Sequence, residues 1–432
     1  MAVELRNQLL TELEADIPLL TILEDASVAS LVDRIQEQLQ EQLQEQFQEP
    51  LLNAESLAAT PSTAINSDQP RVGRYPLSQG QWGLWFLYRL APESAAYNVA
   101  FTARVRSQVN IAALQRACQA LVDRHPTLRT TYGQEDAEPF QEIHAAQPLD
   151  FEQIDAATWD EETLTQRAIV AYQRPFNLES GPVLRVALLT QTPQEHVLLL
   201  TIHHIAVDGL SFGILLDDLR TLYQAESIEQ PVSLPAIDYQ YTDFVQWQRE
   251  SVKDAAGEQN WNYWKQKLAN VSPLMLPADR PRPQIQSYQG ASYSFEISEA
   301  LTAQMRTLAK TEGITLYMSL LAAFQVLLYR YTGQEDVVIG TPASGRSQTE
   351  FAKTVGFFIN MIALRSNLAG NPTFTELLTQ VRQTVLEALA HQSYPAPVLI
   401  ERLGMNRDLS QPGLFRASFN LLNLPNWAVQ SY

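Results

Sequence analysis

The sequence predicts an α/β protein of two similar lobes with a helical segment in front. Three observations carry that reading. Strand-like and helix-like stretches alternate from about residue 75 to 269 and again from 291 onward, the pattern of mixed α/β layers. A proline-rich break, Ser272-Pro273 through Leu276-Pro277 to Pro281-Arg282-Pro283, parts the two alternating regions. The first 45 residues instead repeat apolar side chains at helical spacing. Two lobes joined by a proline-rich hinge imply a cleft, and clefts between lobes are where ligands bind.

In the front segment Leu5, Leu9, Leu10 and Leu13 make one helical stripe. Val28, Leu31, Val32, Ile35 and Leu39 make another behind a cap at Asp25 or Ser27. A Gln/Glu-rich run with a four-residue repeat extends the second helix to Phe47, and from Glu49 to Arg74 the composition is that of a linker. In the first lobe Asn98–Val105 reads as a strand, Ile111–Arg124 as a helix, 183–190 and 197–202 as strands, and 212–225 as a helix. The second lobe opens with an expected strand over 291–297. Helices over 301–311 and 316–331 follow, then a strand over 336–340. The expected divisions are therefore 1–45, 46–73 (linker), 74–270, 271–283 (hinge) and 284–432.

The 432 residues suffice for two or three cores. The formal net charge of −18 argues against nucleic acid as a partner. Residues 1–73 hold thirteen Asp or Glu against three Arg, so −10 of that charge lies in the front segment. Such a segment either meets a basic partner surface or is simply well solvated. No apolar run is long enough to span a bilayer, and Met1-Ala2-Val3-Glu4-Leu5-Arg6 is no signal peptide, so no membrane role is expected. The single Cys118 reads as a core thiol of a cytoplasmic protein.

The stretch His203-His204-Ile205-Ala206-Val207-Asp208-Gly209 carries the most chemical information. It lies where an apolar strand ends and a helix begins, a usual place for a reactive group in an α/β protein. Neighbouring strand residues face opposite sides, so one imidazole faces a cavity while the other faces structure. No Cys or other His stands at ligand spacing, so a histidine acting as base or positioning group fits better than a metal. The plainer reading is two core histidines and an aspartate capping the next helix through Ser211 or Leu210. His125, His144, His196 and His391 read as structural, as do Tyr241, Asp243 and Trp247 at helical spacing. The glycines Gly340 and Gly345 bracket a loop lacking the Gly-Lys-Ser/Thr ending of a phosphate loop.

This stretch stands in a series. Leu77-Ser78-Gln79-Gly80-Gln81-Trp82-Gly83-Leu84-Trp85-Phe86-Leu87 and Arg124-His125-Pro126-Thr127-Leu128-Arg129-Thr130 precede it. Tyr241-Thr242-Asp243-Phe244-Val245-Gln246-Trp247-Gln248 follows, then Gly340-Thr341-Pro342-Ala343-Ser344-Gly345-Arg346 with Val355-Gly356-Phe357-Phe358-Ile359-Asn360. His391-Gln392-Ser393-Tyr394-Pro395 and Arg407-Asp408-Leu409-Ser410 close it. Over about residues 74–432 the series resembles the motifs of the condensation domain of non-ribosomal peptide synthetases, a branch of the chloramphenicol acetyltransferase-like fold.

That resemblance implies two lobes in a V around a central tunnel. Donor and acceptor carrier proteins insert phosphopantetheine arms into it from opposite faces. It implies an acyltransferase in which the acceptor's α-amine attacks the donor thioester to form an amide. His204 would face the tunnel, taking the amine's proton or holding the amine in line. His203 and Asp208 would hold the architecture, with Asp208 paired to Arg346 across the lobes. Gly209 would keep the turn open beside the substrate path, and Asn420 would line the tunnel. No cofactor or metal is expected on the chain itself. The implied partners are an upstream acyl carrier, a downstream peptidyl carrier and an adjoining adenylation domain. Two motifs depart from the family: Trp82-Gly83 stands where a basic residue is usual, and Ser393-Tyr394-Pro395-Ala396 where an acidic residue and Phe are.

Family domains continue well past the seventh motif, so the second lobe is expected to be incomplete at Tyr432. The front segment resembles the second half of a polyketide-type acyl carrier, whose attachment serine would lie just upstream of Met1. Two other readings stay open. An epimerisation domain shares the histidine pair but uses a glutamate motif where Pro342-Ala343-Ser344-Gly345-Arg346 stands. A non-catalytic module that only docks carriers is the other.

Overall fold

The computed structural model describes residues 72–281, 283, 290–404 and 414–422. The carrier-like segment, nearly all of the linker and the last motif at Arg407 lie outside the described residues.

The first lobe runs β1 (Gly73–Pro76), α1 (Gln79–Leu90), β2 (Asn98–Val105), α2 (Ile111–Arg124), β3 (Thr130–Glu135), β4 (Glu138–Ile143), β5 (Asp150–Asp155), α3 (Glu161–Tyr172), β6 (Leu184–Thr192), β7 (Glu195–His203), α4 (Gly209–Ser227) and α5 (Tyr241–Ser251). Its main sheet has the order β2-β7-β6-β5, antiparallel except for the β5–β6 pair. Alternation along β7 splits its side chains between two layers. Leu200 and Ile202 join the core beneath α2 and α4, while Val197 and Leu199 join a smaller cluster beneath α3. A strand covered on both faces explains why its sequence is apolar almost throughout. Cys118 on α2 is fully buried, which pushes its thiol up to about 12. A three-stranded sheet, β1-β4-β3, flanks this layer.

The second region runs α6 (Ala255–Lys267), α7 (Glu299–Thr311), α8 (Leu316–Thr332), β8 (Asp336–Ala343), β9 (Asn360–Asn367), α9 (Phe374–Ala390) and α10 (Ala396–Arg402). The helix α8 begins at a Thr315 cap that accepts from the Met318 N–H and ends at Gly333 in the left-handed conformation. Met318, Leu321, Ala322 and Leu328 of α8 pack with β8, β9 and α9 in one core. Trp261, Trp264 and Leu268 belong to that same core although they precede the proline-rich segment. The Trp264 indole N–H donates to the His391 carbonyl at 3.0 Å.

The strand expected over 291–297 does not form. Tyr293, Phe295 and Ile297 alternate as a strand would, yet all three are exposed and pair with neither β8 nor β9. Alternation states a preference, and the preference needs an open sheet edge beside it. The other elements expected between residues 98 and 340 occur, with β7 and α4 extended outward to include His203 and Gly209, while the two front helices lie outside the described residues. No single described helix is long and apolar enough to cross a membrane. The pair α7 and α8 meets that test only when joined across a 106° bend.

Trp264 is 1% exposed, so Trp264→Ala removes a filled volume that its neighbours cannot close. The variant should lose about 3–5 kcal/mol of unfolding free energy in a urea titration.

Candidate active site

The histidine pair is fixed by where β7 stops. The His203 N–H donates to the Val183 carbonyl at 3.0 Å and the His204 N–H to the Tyr97 carbonyl at 2.8 Å. The chain then tightens into a 3₁₀ turn, His204–Ala206, before α4. His203 is buried between Phe176, edge-on at 6.0 Å, and Tyr97 at 6.5 Å. Its Nδ1 accepts the Ile205 N–H at 3.1 Å, a bond that requires that nitrogen to be unprotonated. Burial, and then the neighbouring His204, pull its pKa down to about 3.

His204 is half-buried. Its Nδ1 lies 2.6 Å from the Val207 carbonyl oxygen. A carbonyl only accepts, so Nδ1 carries the proton and donates. In the neutral ring the lone pair is then on Nε2. The two histidines thus differ in kind: one is a buried acceptor for its own turn, the other a fixed tautomer with a basic nitrogen to offer.

Asp208 closes the turn as the N-cap of α4, its Oδ1 accepting the Ser211 N–H at 2.7 Å. Its other neighbours come from the second region. Arg346 Nη2 donates to Asp208 Oδ1 at 3.2 Å and to Ser211 Oγ at 2.6 Å. Arg346 Nη1 donates to the carbonyls of Phe351 at 2.5 Å and Thr354 at 2.7 Å. The guanidinium lies over the Phe358 ring at 3.8 Å, and the Phe358 N–H donates to Asp208 Oδ2 at 3.1 Å. Both charged side chains are 2% exposed. Desolvated charges hold only when each is paired and hydrogen-bonded; both are, although the Arg346 Nε has no partner among the described residues.

Around this pair the segment 354–358 is clasped to the first lobe. Ser211 Oγ donates to the Gly356 carbonyl and accepts the Gly356 N–H. The Tyr241 hydroxyl, 2.8 Å from Ser78 Oγ, donates to the Phe357 carbonyl at 2.5 Å. Gly356 is required because a Cβ there would enter the Tyr241 ring. Gly345, at φ +67°, turns the chain where a Cβ would strike the Phe358 carbonyl.

The structure thus brings Asp208 and Arg346 into contact directly behind the histidine turn. Gly209 starts α4, exposed, with no atom within 4 Å of where a Cβ would stand. Asn420 is exposed beside Phe419, whose N–H donates to the Gly340 carbonyl at the β8 edge. His125 Nε2 meets Asp218 Oδ2 at 2.9 Å and ties α2 to α4; burial lowers its pKa. Ser211, Tyr241, Phe357 and Phe358 were missed as site residues by sequence reasoning. Their partners lie more than a hundred residues away, and only the place of Tyr241, Phe357 and Phe358 inside two motifs hinted at a shared surface.

Asp208→Ala leaves Arg346 charged, buried and without its carboxylate, and should cost about 3–5 kcal/mol in urea unfolding. Adding Arg346→Ala should cost clearly less than the sum of the single losses, since the pair acts as a unit. His203 gives a pH dependence of definite sign. Its folded pKa is depressed, so above pH ~6.5 it is neutral in both states and contributes nothing. As pH falls from there toward 3, only the unfolded chain takes the proton, and stability is lost. Urea midpoints should show a loss of about 2 kcal/mol by pH 5 that His203→Gln lacks.

Comparisons with known proteins place the chain in a family. The condensation-domain family profile matches residues 72–431. A linear gramicidin synthase polypeptide of Brevibacillus parabrevis is 43% identical over 361 residues, covering 82% of this chain and 5% of that protein. Surfactin synthase subunit 1 of Bacillus subtilis is 34% identical over 361 residues, covering 83% of this chain and 10% of that protein. The chain therefore spans only a small part of the curated relatives it matches. Among solved structures, a four-domain nonribosomal peptide synthetase bound to AMP and glycine superposes with a TM-score of 0.75 at 26% identity, over 83% of this chain and 27% of that one. The X-domain from teicoplanin biosynthesis gives 0.75 at 27%, over 81% and 77%. On the family match and these relatives together, the chain belongs to the condensation-domain family of nonribosomal peptide synthetases, enzymes of the acyltransferase type.

Proposed function

We propose that this chain joins an acyl or peptidyl thioester, delivered by an upstream carrier, to the α-amine of an aminoacyl thioester on a downstream carrier. The observation that supports it most is the His204 tautomer. With Nδ1–H held by the Val207 carbonyl at 2.6 Å, the lone pair of the neutral ring is on Nε2, which can accept a proton. In the proposed step the amine nitrogen attacks the thioester carbonyl, a C–N bond forms and the C–S bond breaks. The proton leaves the nitrogen for His204 Nε2 and passes to the departing thiolate. Thioester aminolysis is intrinsically favourable, so holding the amine in line contributes alongside base strength.

On this reading the tunnel of the family fold passes the half-buried face of His204, and Gly209 leaves room beside it. Asn420 lines the tunnel farther along. The phosphopantetheine arms are substrate tethers carried by the partner domains, with an adenylation domain loading the acceptor, all in the cytoplasm. The acidic front segment, residues 1–45, is read as part of the upstream polyketide-type carrier.

In the full-length polypeptide with both carriers loaded, His204→Ala should lower single-turnover amide formation at least about 10²-fold. Its thermal unfolding should match the parent. An undiminished rate in that variant rejects the assignment.

A further inference from the structure

We propose that Phe357 is a positioning residue for this reaction: it is delivered from the second lobe to hold the His204 ring in its reactive orientation. The proposal rests on the reading of His204 given above. Three consecutive residues of the segment, Gly356, Phe357 and Phe358, have their backbone groups bound by first-lobe side chains. Ser211 holds Gly356 at 2.9 and 3.0 Å, Tyr241 holds the Phe357 carbonyl at 2.5 Å, and Asp208 holds the Phe358 N–H at 3.1 Å. These residues lie outside helix and strand, so it is these side chains that fix the path of the backbone here.

The side chains then divide. Val355 enters the first-lobe core and Phe358 joins the aromatic group of Tyr241, Phe244 and Phe351. Phe357 packs against both groups, its ring 5.1 Å from the His204 ring at 82°. On its other side is Gly80 in the first turn of α1. A Cβ on Gly80 would stand 2.8 Å from Phe357 Cε1, so the missing side chain makes the space that the phenyl fills.

Among the described residues His204 has one side-chain hydrogen bond of its own, to Val207. One bond at Nδ1 leaves the imidazole free to rock about it, and Phe357 supplies the second point of support. A phenyl ring also has no hydrogen-bonding group that could compete for Nε2. Small displacements of a reacting group are costly because attack needs alignment. Phe357 therefore acts on turnover through His204 and not on carrier docking.

The test uses the full-length polypeptide with both carriers loaded, and three variants beside His204→Ala. Phe357→Leu keeps bulk and loses the ring. Gly80→Ala displaces the ring without removing it, and Phe357→Tyr keeps it. Phe357→Leu and Gly80→Ala should lower kcat about ten- to a hundredfold with the acceptor-carrier KM unchanged, and Phe357→Tyr should stay near the parent. In ¹⁵N-histidine-labelled chain, the slowly exchanging His204 Nδ1–H resonance should broaden in the first two and persist in the third. Parental kcat in both Phe357→Leu and Gly80→Ala, or a loss entirely in KM, overturns the proposal while leaving His204 in place. An undiminished His204→Ala rate overturns the reading beneath it instead. If Phe357→Leu fails to fold, Gly80→Ala and the resonance decide.

Discussion

The ion pair between Asp208 and Arg346 is the constraint on which the site depends. It is buried, so neither charge can fall back on water, and each therefore dictates the position of everything that satisfies it. On one side the carboxylate caps α4 and so fixes the turn that holds both histidines. On the other the guanidinium gathers the Phe351 and Thr354 carbonyls and the Phe358 ring, and so folds the clasped segment. One short contact at 3.2 Å thus couples the geometry of a turn in one lobe to that of a segment in the other.

The histidines show how unequal two adjacent identical residues become. His203 lies on the α3 side of the sheet, in line with Leu199, where burial strongly disfavours a charge. His204 is one residue past the strand, in the 3₁₀ turn, and escapes that side. The difference arises from strand parity and from the point at which β7 runs out. Neither imidazole has to be special in itself.

Much of this was legible in the sequence and part was not, for physical reasons. The helix Ile111–Arg124 and the strand Asn98–Val105 were readable to the residue, because each has a clear period and a clear cap or break. The strand over 291–297 misled because alternation is local and pairing is not. The placement of the histidines at a strand end followed from the apolar run before them. The clasp did not: Ser211, Tyr241, Phe357 and Phe358 look like packing residues in their own segments. Their roles exist only once residues more than a hundred positions apart are brought face to face.

The placement of α6 bears on how such chains can be recombined. The proline-rich segment after residue 270 looks like the natural seam between lobes, and a chimera cut there would seem tidy. Yet Trp261, Trp264 and Leu268 sit on the upstream side of that seam and in the downstream core. A graft joined at the prolines would hand its new second lobe a foreign pair of tryptophans to pack. One joined in the short turn between α5 and α6, at Val252–Asp254, would carry the helix with the core it completes.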